Sequence, residues 1–165
     1  MRDFKRIADD LRSNQTADGP VQDRLIRLAA APPGVPQGGA RQLRILVVDD
    51  VDMNRKLLRT ILSDFGHVVV EATDGAKAIE AAFAERFDLI LMDVHMPKLD
   101  GPSTSRAIRG GTGPNVGTPI LALTADARAL QIAECEAAGM DGYLTKPISL
   151  ADLLAAVASL DGSED

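Results

Sequence analysis

The chain has 165 residues, of which 45% are hydrophobic, 25% charged and only 3% aromatic, enough apolar material for one packed domain and too much for wholesale disorder. Its formal charge of −6 is uneven: residues 1–42 carry seven basic and five acidic groups, and residues 43–165 carry eleven basic and nineteen acidic groups. A domain this acidic and this poor in aromatics lacks both the electrostatic footprint and the stacking platforms of a nucleic-acid binder.

Residues 1–42 hold short apolar groupings, Phe4, Ile7 and Leu11 and then Leu25, Ile26 and Leu28. The stretch AAAPPGVPQGGA at 29–40 breaks helix and strand alike, so 1–42 reads as an N-terminal extension with a Pro/Gly-rich linker over 31–42. From Leu43 the pattern changes. LRILVV (43–48) is a short, β-branched-rich strand. Leu57, Leu58, Ile61, Leu62 and Phe65 form the apolar face of a helix that Gly66 ends. HVVVEA (67–72) is a second strand, Ala76, Ile79, Ala82 and Phe83 mark a second helix, and DLILM (88–92) is a third strand. A short helix over about 101–109 follows, with Pro102 placed in its first turn. GGTGPNVG (110–117) reads as a loop made mobile by its four glycines. TPILALT (118–124) is a fourth strand, 126–138 a fourth helix closed by Gly139, and GYLT (142–145) a fifth strand. Leu150, Leu153, Leu154, Val157 and Leu160 line a last amphipathic helix, leaving 161–165 as a tail.

Strands alternating with helices predict an α/β fold, a doubly wound parallel sheet of five strands in the order 2-1-3-4-5. Ligands of such sheets sit beyond the carboxyl ends of the strands, so the residues at those ends carry the functional reading. Asp49 and Asp50 follow the first strand, Asp93 the third, Thr124 the fourth, and Lys146 with Pro147 the fifth. Strands one and three flank the switch point, so three carboxylates converge there. Like charges so close cannot all stay ionised unaided, and a hard divalent cation such as Mg²⁺ relieves them while leaving room for phosphate. The Lys146 ammonium and the Thr124 hydroxyl add a compact cation and a donor. A carboxylate nucleophile, a metal, a cation and a hydroxyl are the parts needed to move a phosphoryl group onto an aspartate. Singly, the two aspartates would serve as helix caps and Lys146 as a surface lysine; jointly at matching strand ends they point to one site.

The motifs ILVVDD (45–50), ILMDVHMPKLDG (90–101), LALTA (121–125) and YLTKP (143–147) resemble the receiver domain of two-component response regulators. The resemblance covers about 43–160, and VDDVDMNRKLL (48–58) with AAGMDGYLTKPI (137–148) is most similar to receivers of hybrid sensor histidine kinases. It implies Asp93 as phosphoacceptor, Asp50 as a direct Mg²⁺ ligand, Asp49 acting through metal-bound water, and the His95 carbonyl as a further ligand. Thr124 and Lys146 would bind the phosphoryl group, and Tyr143 would be the aromatic switch. Lys146–Pro147 would be a cis peptide. His95 and Asp126 would set the dephosphorylation rate. Implied partners are a histidine kinase domain or a histidine phosphotransfer protein, with the fourth helix, fifth strand and fifth helix as signalling face and as the surface of any dimer. The implied parent is a hybrid kinase with this domain at its C-terminal end, with a free single-domain regulator carrying an N-terminal extension and a phosphorelay intermediate as open alternatives, and no turnover is expected beyond self-phosphorylation and self-dephosphorylation. Two other readings stay open: a phosphorylation-independent interaction module, and a haloacid-dehalogenase-like phosphatase suggested by Asp50-Val51-Asp52.

Single Cys135 excludes an internal disulfide and fits a reducing, cytoplasmic setting, where a buried structural thiol is its expected role. The N-terminal MRDFKRIADD is charged where a signal peptide is apolar, and no apolar run reaches the roughly 18 residues of a membrane helix, so no membrane contact is expected of this chain.

Overall fold

A computed structural model describes residues 41–126 and 128–161. The extension, most of its linker and the tail after 161 lie outside the described residues, as do the apolar groupings at Phe4–Leu11 and Leu25–Leu28. The elements in chain order are β1 (Arg44–Val48), α1 (Asp52–Asp64), β2 (Val68–Ala72), α2 (Gly75–Ala84) and β3 (Leu89–Asp93). They continue with α3 (Gly101–Gly110), β4 (Ile120–Thr124), α4 (Ala129–Ala137), β5 (Gly142–Thr145) and α5 (Leu150–Asp161). The strands form one sheet in the order β2-β1-β3-β4-β5, every neighbouring pair parallel, as the alternation predicts.

Alternation along each strand divides the core in two. Ile45, Val47, Leu89, Leu91, Leu121 and Leu123 pack with Leu58, Leu62, Leu153 and Val157 of α1 and α5. Leu46, Val48, Ile90, Met92, Ile120 and Ala122 pack with Ala78, Ala82, Ile108 and Cys135 of α2, α3 and α4. Both faces are covered, which is why the strands read as unbroken apolar runs. The same register places the site. Ile45 pairs with Leu89 and Val47 with Leu91, so one more step of two residues sets Asp49 beside Asp93.

Four details depart from expectation. Leu57 is 56% exposed, because adjacent positions of a helix lie about 100° apart and Leu58 holds the inward direction. The fourth helix begins at Ala129 and not at 126; Asp126 is instead held in a turn described below. The 110–117 loop, expected to be mobile, is tied down at its centre. Asn115 is buried; its amide accepts from the Phe87 N–H at 2.8 Å and donates to the carbonyls of Ala82 at 2.6 Å and Glu85 at 2.7 Å. The loop glycines make room for Phe83, which lies across them: a Cβ on Gly113 would sit 2.8 Å from its ring. Phe83 is therefore half-exposed rather than part of the core face expected of it. Pro102 falls in the first turn of α3, whose N-terminus is capped by Asp100 accepting from the Ser103 N–H at 2.8 Å. Cys135 is a free, buried thiol, its pKa raised by burial. Among the described residues no helix is long and apolar enough to cross a membrane.

Candidate functional site

The carboxyl ends of β1 and β3 bring Asp49, Asp50 and Asp93 together, with one carboxylate oxygen from each lying within 4.8 Å of the others. Asp49 and Asp93 are buried and Asp50 is exposed. Lys146, delivered by the end of β5, joins the two buried members: its Nζ donates to Asp93 at 2.9 Å and to Asp49 at 3.3 Å. The Lys146–Pro147 peptide is cis.

Three carboxylates face one ammonium here, so the cluster holds excess negative charge. Burial pushes the Asp93 carboxyl up to about 6; the Lys146 hydrogen bond opposes this, and the nearby Asp49 charge adds to it. Burial also works against the Lys146 charge, but the bonds to Asp93 and Asp49 outweigh it and its pKa is raised. An all-oxygen donor set with surplus negative charge fits a hard divalent cation and suits no soft metal. Asp49 and Asp50 are not helix caps: the N-cap of α1 is Val51, with no side-chain cap. Asp49 is occupied internally. Its Oδ1 accepts from the Val51 N–H at 2.8 Å, and its Oδ2 accepts from Asn54 at 3.2 Å as well as from Lys146.

Thr124, at the end of β4, is buried, and its hydroxyl is engaged with the backbone of Asp126. The Asp126 carboxylate in turn accepts from the Arg128 N–H at 3.0 Å and from the Arg128 guanidinium at 2.6–2.9 Å, and that hydrogen bond holds its pKa below the ordinary range. These bonds consume the residues that sequence periodicity assigns to the start of α4. His95 is exposed, two residues beyond Asp93, and its imidazole is not part of the acidic cluster. Tyr143 is half-buried against the α2–α4 side of the core.

Sequence reasoning missed three residues around this site. Asn54 and Arg55 both touch Asp49, Arg55 by donating to its backbone carbonyl at 2.7 Å. Gly101 packs on the backbone that follows Asp93: a Cβ there would collide with the Asp93 carbonyl and lie 2.9 Å from the Val94 Cα. The Asp-Gly pair therefore seats α3 against the loop carrying the phosphoacceptor candidate. Lys98 in that loop has φ of 70°, a left-handed conformation uncommon for a lysine.

The doubly wound sheet, with an acidic cluster and a lysine at the carboxyl ends of its strands, defines an α/β domain with a candidate cation site, and comparison with known proteins identifies the family. Residues 45–158 match the response regulator receiver domain, and the chain belongs to that family. It is 42% identical over 125 residues to the sensor histidine kinase GacS of Pseudomonas protegens, an alignment covering 74% of this chain and 14% of that protein. It is 36% identical over 144 residues to the sensor histidine kinase AruS of Pseudomonas aeruginosa, covering 87% of this chain and 14% of AruS. The chain thus spans about one seventh of these kinases. Among solved structures it is similar to the receiver domain of the sensor histidine kinase PA1611 of Pseudomonas aeruginosa, with a magnesium ion in its active-site cleft (TM-score 0.68, 36% identity, 74% of this chain and all of that one). It is also similar to the Vibrio cholerae chemotaxis protein CheY4 (TM-score 0.69, 33% identity, 73% of this chain and 99% of that one). The domain is therefore a receiver homologous to those of hybrid sensor kinases.

Proposed function

We propose that Asp93 accepts a phosphoryl group from a phosphohistidine, and that the domain thereby switches conformation to pass on a signal. The observation that carries this reading is the double contact of Lys146 with Asp93 and Asp49. One ammonium bridging two buried carboxylates would supply the counter-charge that a phosphoryl oxygen on Asp93 needs. In the transfer the Asp93 carboxylate attacks phosphorus; a P–O bond forms, the P–N bond breaks, and the imidazole leaves with its electron pair. Bound Mg²⁺ would supply charge neutralisation at the phosphoryl oxygens. Asp50, exposed within the acidic cluster, would ligate the ion directly together with Asp93 and the His95 carbonyl. Asp49, whose oxygens already accept three hydrogen bonds, suits a role through metal-bound water.

Lys146 then holds the new phosphoryl group, and Thr124 donates to it after releasing the Asp126 backbone. That is an exchange of hydrogen bonds. A new bond to a charged group contributes roughly 1.5–3 kcal/mol, against the roughly 5.5 kcal/mol needed to drive a 1:99 equilibrium to 99:1. The inactive and active states are therefore already close in energy, or partner binding completes the shift, with Tyr143 following Thr124. Phosphodonor and recipient are a histidine kinase domain and a histidine phosphotransfer protein, and the chain acts in the cytoplasm as the receiver of a hybrid kinase, 43–160 being the receiver unit. Its outward surface is α4, β5 and α5, which would also form any dimer. His95 and Asp126 regulate the access of water to the aspartyl phosphate.

The test is a beryllofluoride and Mg²⁺ titration followed by amide NMR. Large shifts at Asp50, Asp93, Thr124, Tyr143 and Lys146 in the wild type, and none in Asp93→Asn, are expected. A folded wild type that does not respond would overturn the reading and leave a docking module independent of phosphorylation.

A further inference from the structure

Arg55, on the first turn of α1, is a buried arginine at 8% exposure, and its guanidinium is turned onto the backbone of Asp49. Nη1 donates to the Asp49 carbonyl at 2.7 Å, Nη2 to the Asp52 carboxylate at 2.7 Å, and Nε lies 3.6 Å from Glu71 of β2. Glu71 is itself paired with Arg59 at 3.1 Å. The carbonyl that Arg55 grips belongs to the peptide joining Asp49 to Asp50. The next peptide, joining Asp50 to Val51, is held through its N–H by the Asp49 carboxylate at 2.8 Å. Asp50 therefore sits between two pinned peptide planes, and its φ and ψ are fixed by partners other than itself.

We infer that Arg55 is a positioning residue for divalent-cation binding: by holding the Asp49–Asp50 peptide it aims the Asp50 carboxylate, without touching the cation or the phosphoryl group. This rests on the reading of the acidic cluster as a Mg²⁺ site. The charge of Arg55 and its geometry pull in opposite directions, which makes the inference decidable. A cation beneath an acidic cluster opposes a second cation, so deleting the charge alone would tighten Mg²⁺ binding. Losing the anchor lets the Asp50 carboxylate wander and weakens binding; residues that orient a metal's ligands typically contribute about 10–100-fold in affinity. Lysine keeps the charge and can reach a single acceptor, but it cannot bridge Asp49, Asp52 and Glu71 with a planar fork.

The experiment is a Mg²⁺ titration of the wild type, Arg55→Gln and Arg55→Lys by calorimetry, with amide spectra to verify folding. It is paired with phosphorylation by phosphoramidate across a Mg²⁺ series. Arg55→Gln should weaken the Mg²⁺ Kd about tenfold and Arg55→Lys by less. The phosphorylation rate at saturating Mg²⁺ should match the wild type in both, with only the Mg²⁺ requirement raised. Unchanged or tighter Mg²⁺ binding by folded Arg55→Gln overturns the inference while leaving the phosphoacceptor reading intact. Should Arg55→Gln not fold, a wild-type Kd in Arg55→Lys overturns it equally. A wild type that binds no Mg²⁺ overturns both readings together.

Discussion

The hydroxyl of Thr124 donates to the backbone carbonyl of Asp126 at 2.9 Å and accepts from the Asp126 N–H at 3.0 Å. The residue expected to bind a phosphoryl group is thus already committed to the loop after β4. On the proposed mechanism, movement of Thr124 toward Asp93 would release that loop and so couple chemistry at β3 to the segment ahead of α4.

Thr124→Val should keep the shape and remove both bonds. Asp93 would still be phosphorylated, but the shifts that beryllofluoride induces at Tyr143 and α4 should shrink. Loss of the two bonds should cost about 1–2 kcal/mol of stability in urea denaturation. A full Tyr143 response in this variant would remove Thr124 from the switch.

Asp93 gives the metal-free domain a pH dependence. Its carboxyl stands at about 6 against an ordinary 3.8, so the folded state binds this proton more tightly than the unfolded state. The resulting stability is fully present below 3.8, fades as pH rises to about 6, and is gone above that. Its size is at most about 3 kcal/mol, from ~1.36 kcal/mol per pH unit. Asp93→Asn cannot ionise, so it should lack this decline and, with chelator present, unfold at higher urea than the wild type near neutral pH. Mg²⁺ should close the gap by stabilising the wild type. Parallel stability profiles of the two proteins from about pH 4 to about pH 7.5 would contradict the raised pKa of the Asp93 carboxyl.

Asn115 is the anchor of the loop before β4. Asn115→Ala would leave the buried Phe87 N–H and the Ala82 and Glu85 carbonyls without their partner. Each such group costs about 1–3 kcal/mol, so the three together predict a loss of at least about 3 kcal/mol. Hydrogen exchange should rise at Phe87 and through residues 110–118, while Mg²⁺ affinity changes little. Unaltered exchange there would show that the glycines, not Asn115, govern the loop.

His95 and Asp126 stand on the two loops beyond Asp93 and Thr124. Arg128 grips the Asp126 carboxylate, so Arg128→Ala should free it and change the lifetime of the aspartyl phosphate. Replacing His95 and Asp126 together with Ala should change it more. Half-lives equal to the wild type in both variants would take these residues out of rate control.

Much of this architecture was legible because it follows from local periodicity. Asp49, Asp93 and Lys146 each leave a short apolar strand at its carboxyl end, and parallel strands align such ends. The bond between Asn115 and Phe87 was hidden because it spans 28 positions and joins two loops. Four glycines nearby suggested mobility, although one buried amide ties the loop down. The strand end at Thr124 was legible, but the helix read from 126 starts at Ala129, because Asp126 is held in a turn by the Thr124 hydroxyl. Arg55 lies in the motif VDDVDMNRKLL, but nothing in its spacing sets it apart from the other polar positions of that helix. Only the fold shows its guanidinium turned onto the Asp49 carbonyl.

The most direct measurement is phosphoryl transfer itself. The domain would be mixed with a phosphorylated histidine phosphotransfer protein and Mg²⁺, and the product mapped by peptide mass spectrometry. A base- and hydroxylamine-labile phosphoryl group is expected on the peptide containing Asp93, absent in Asp93→Asn and strongly reduced by Asp50→Asn or chelator. A phosphoryl group found elsewhere, or equal labelling of Asp93→Asn, would contradict it.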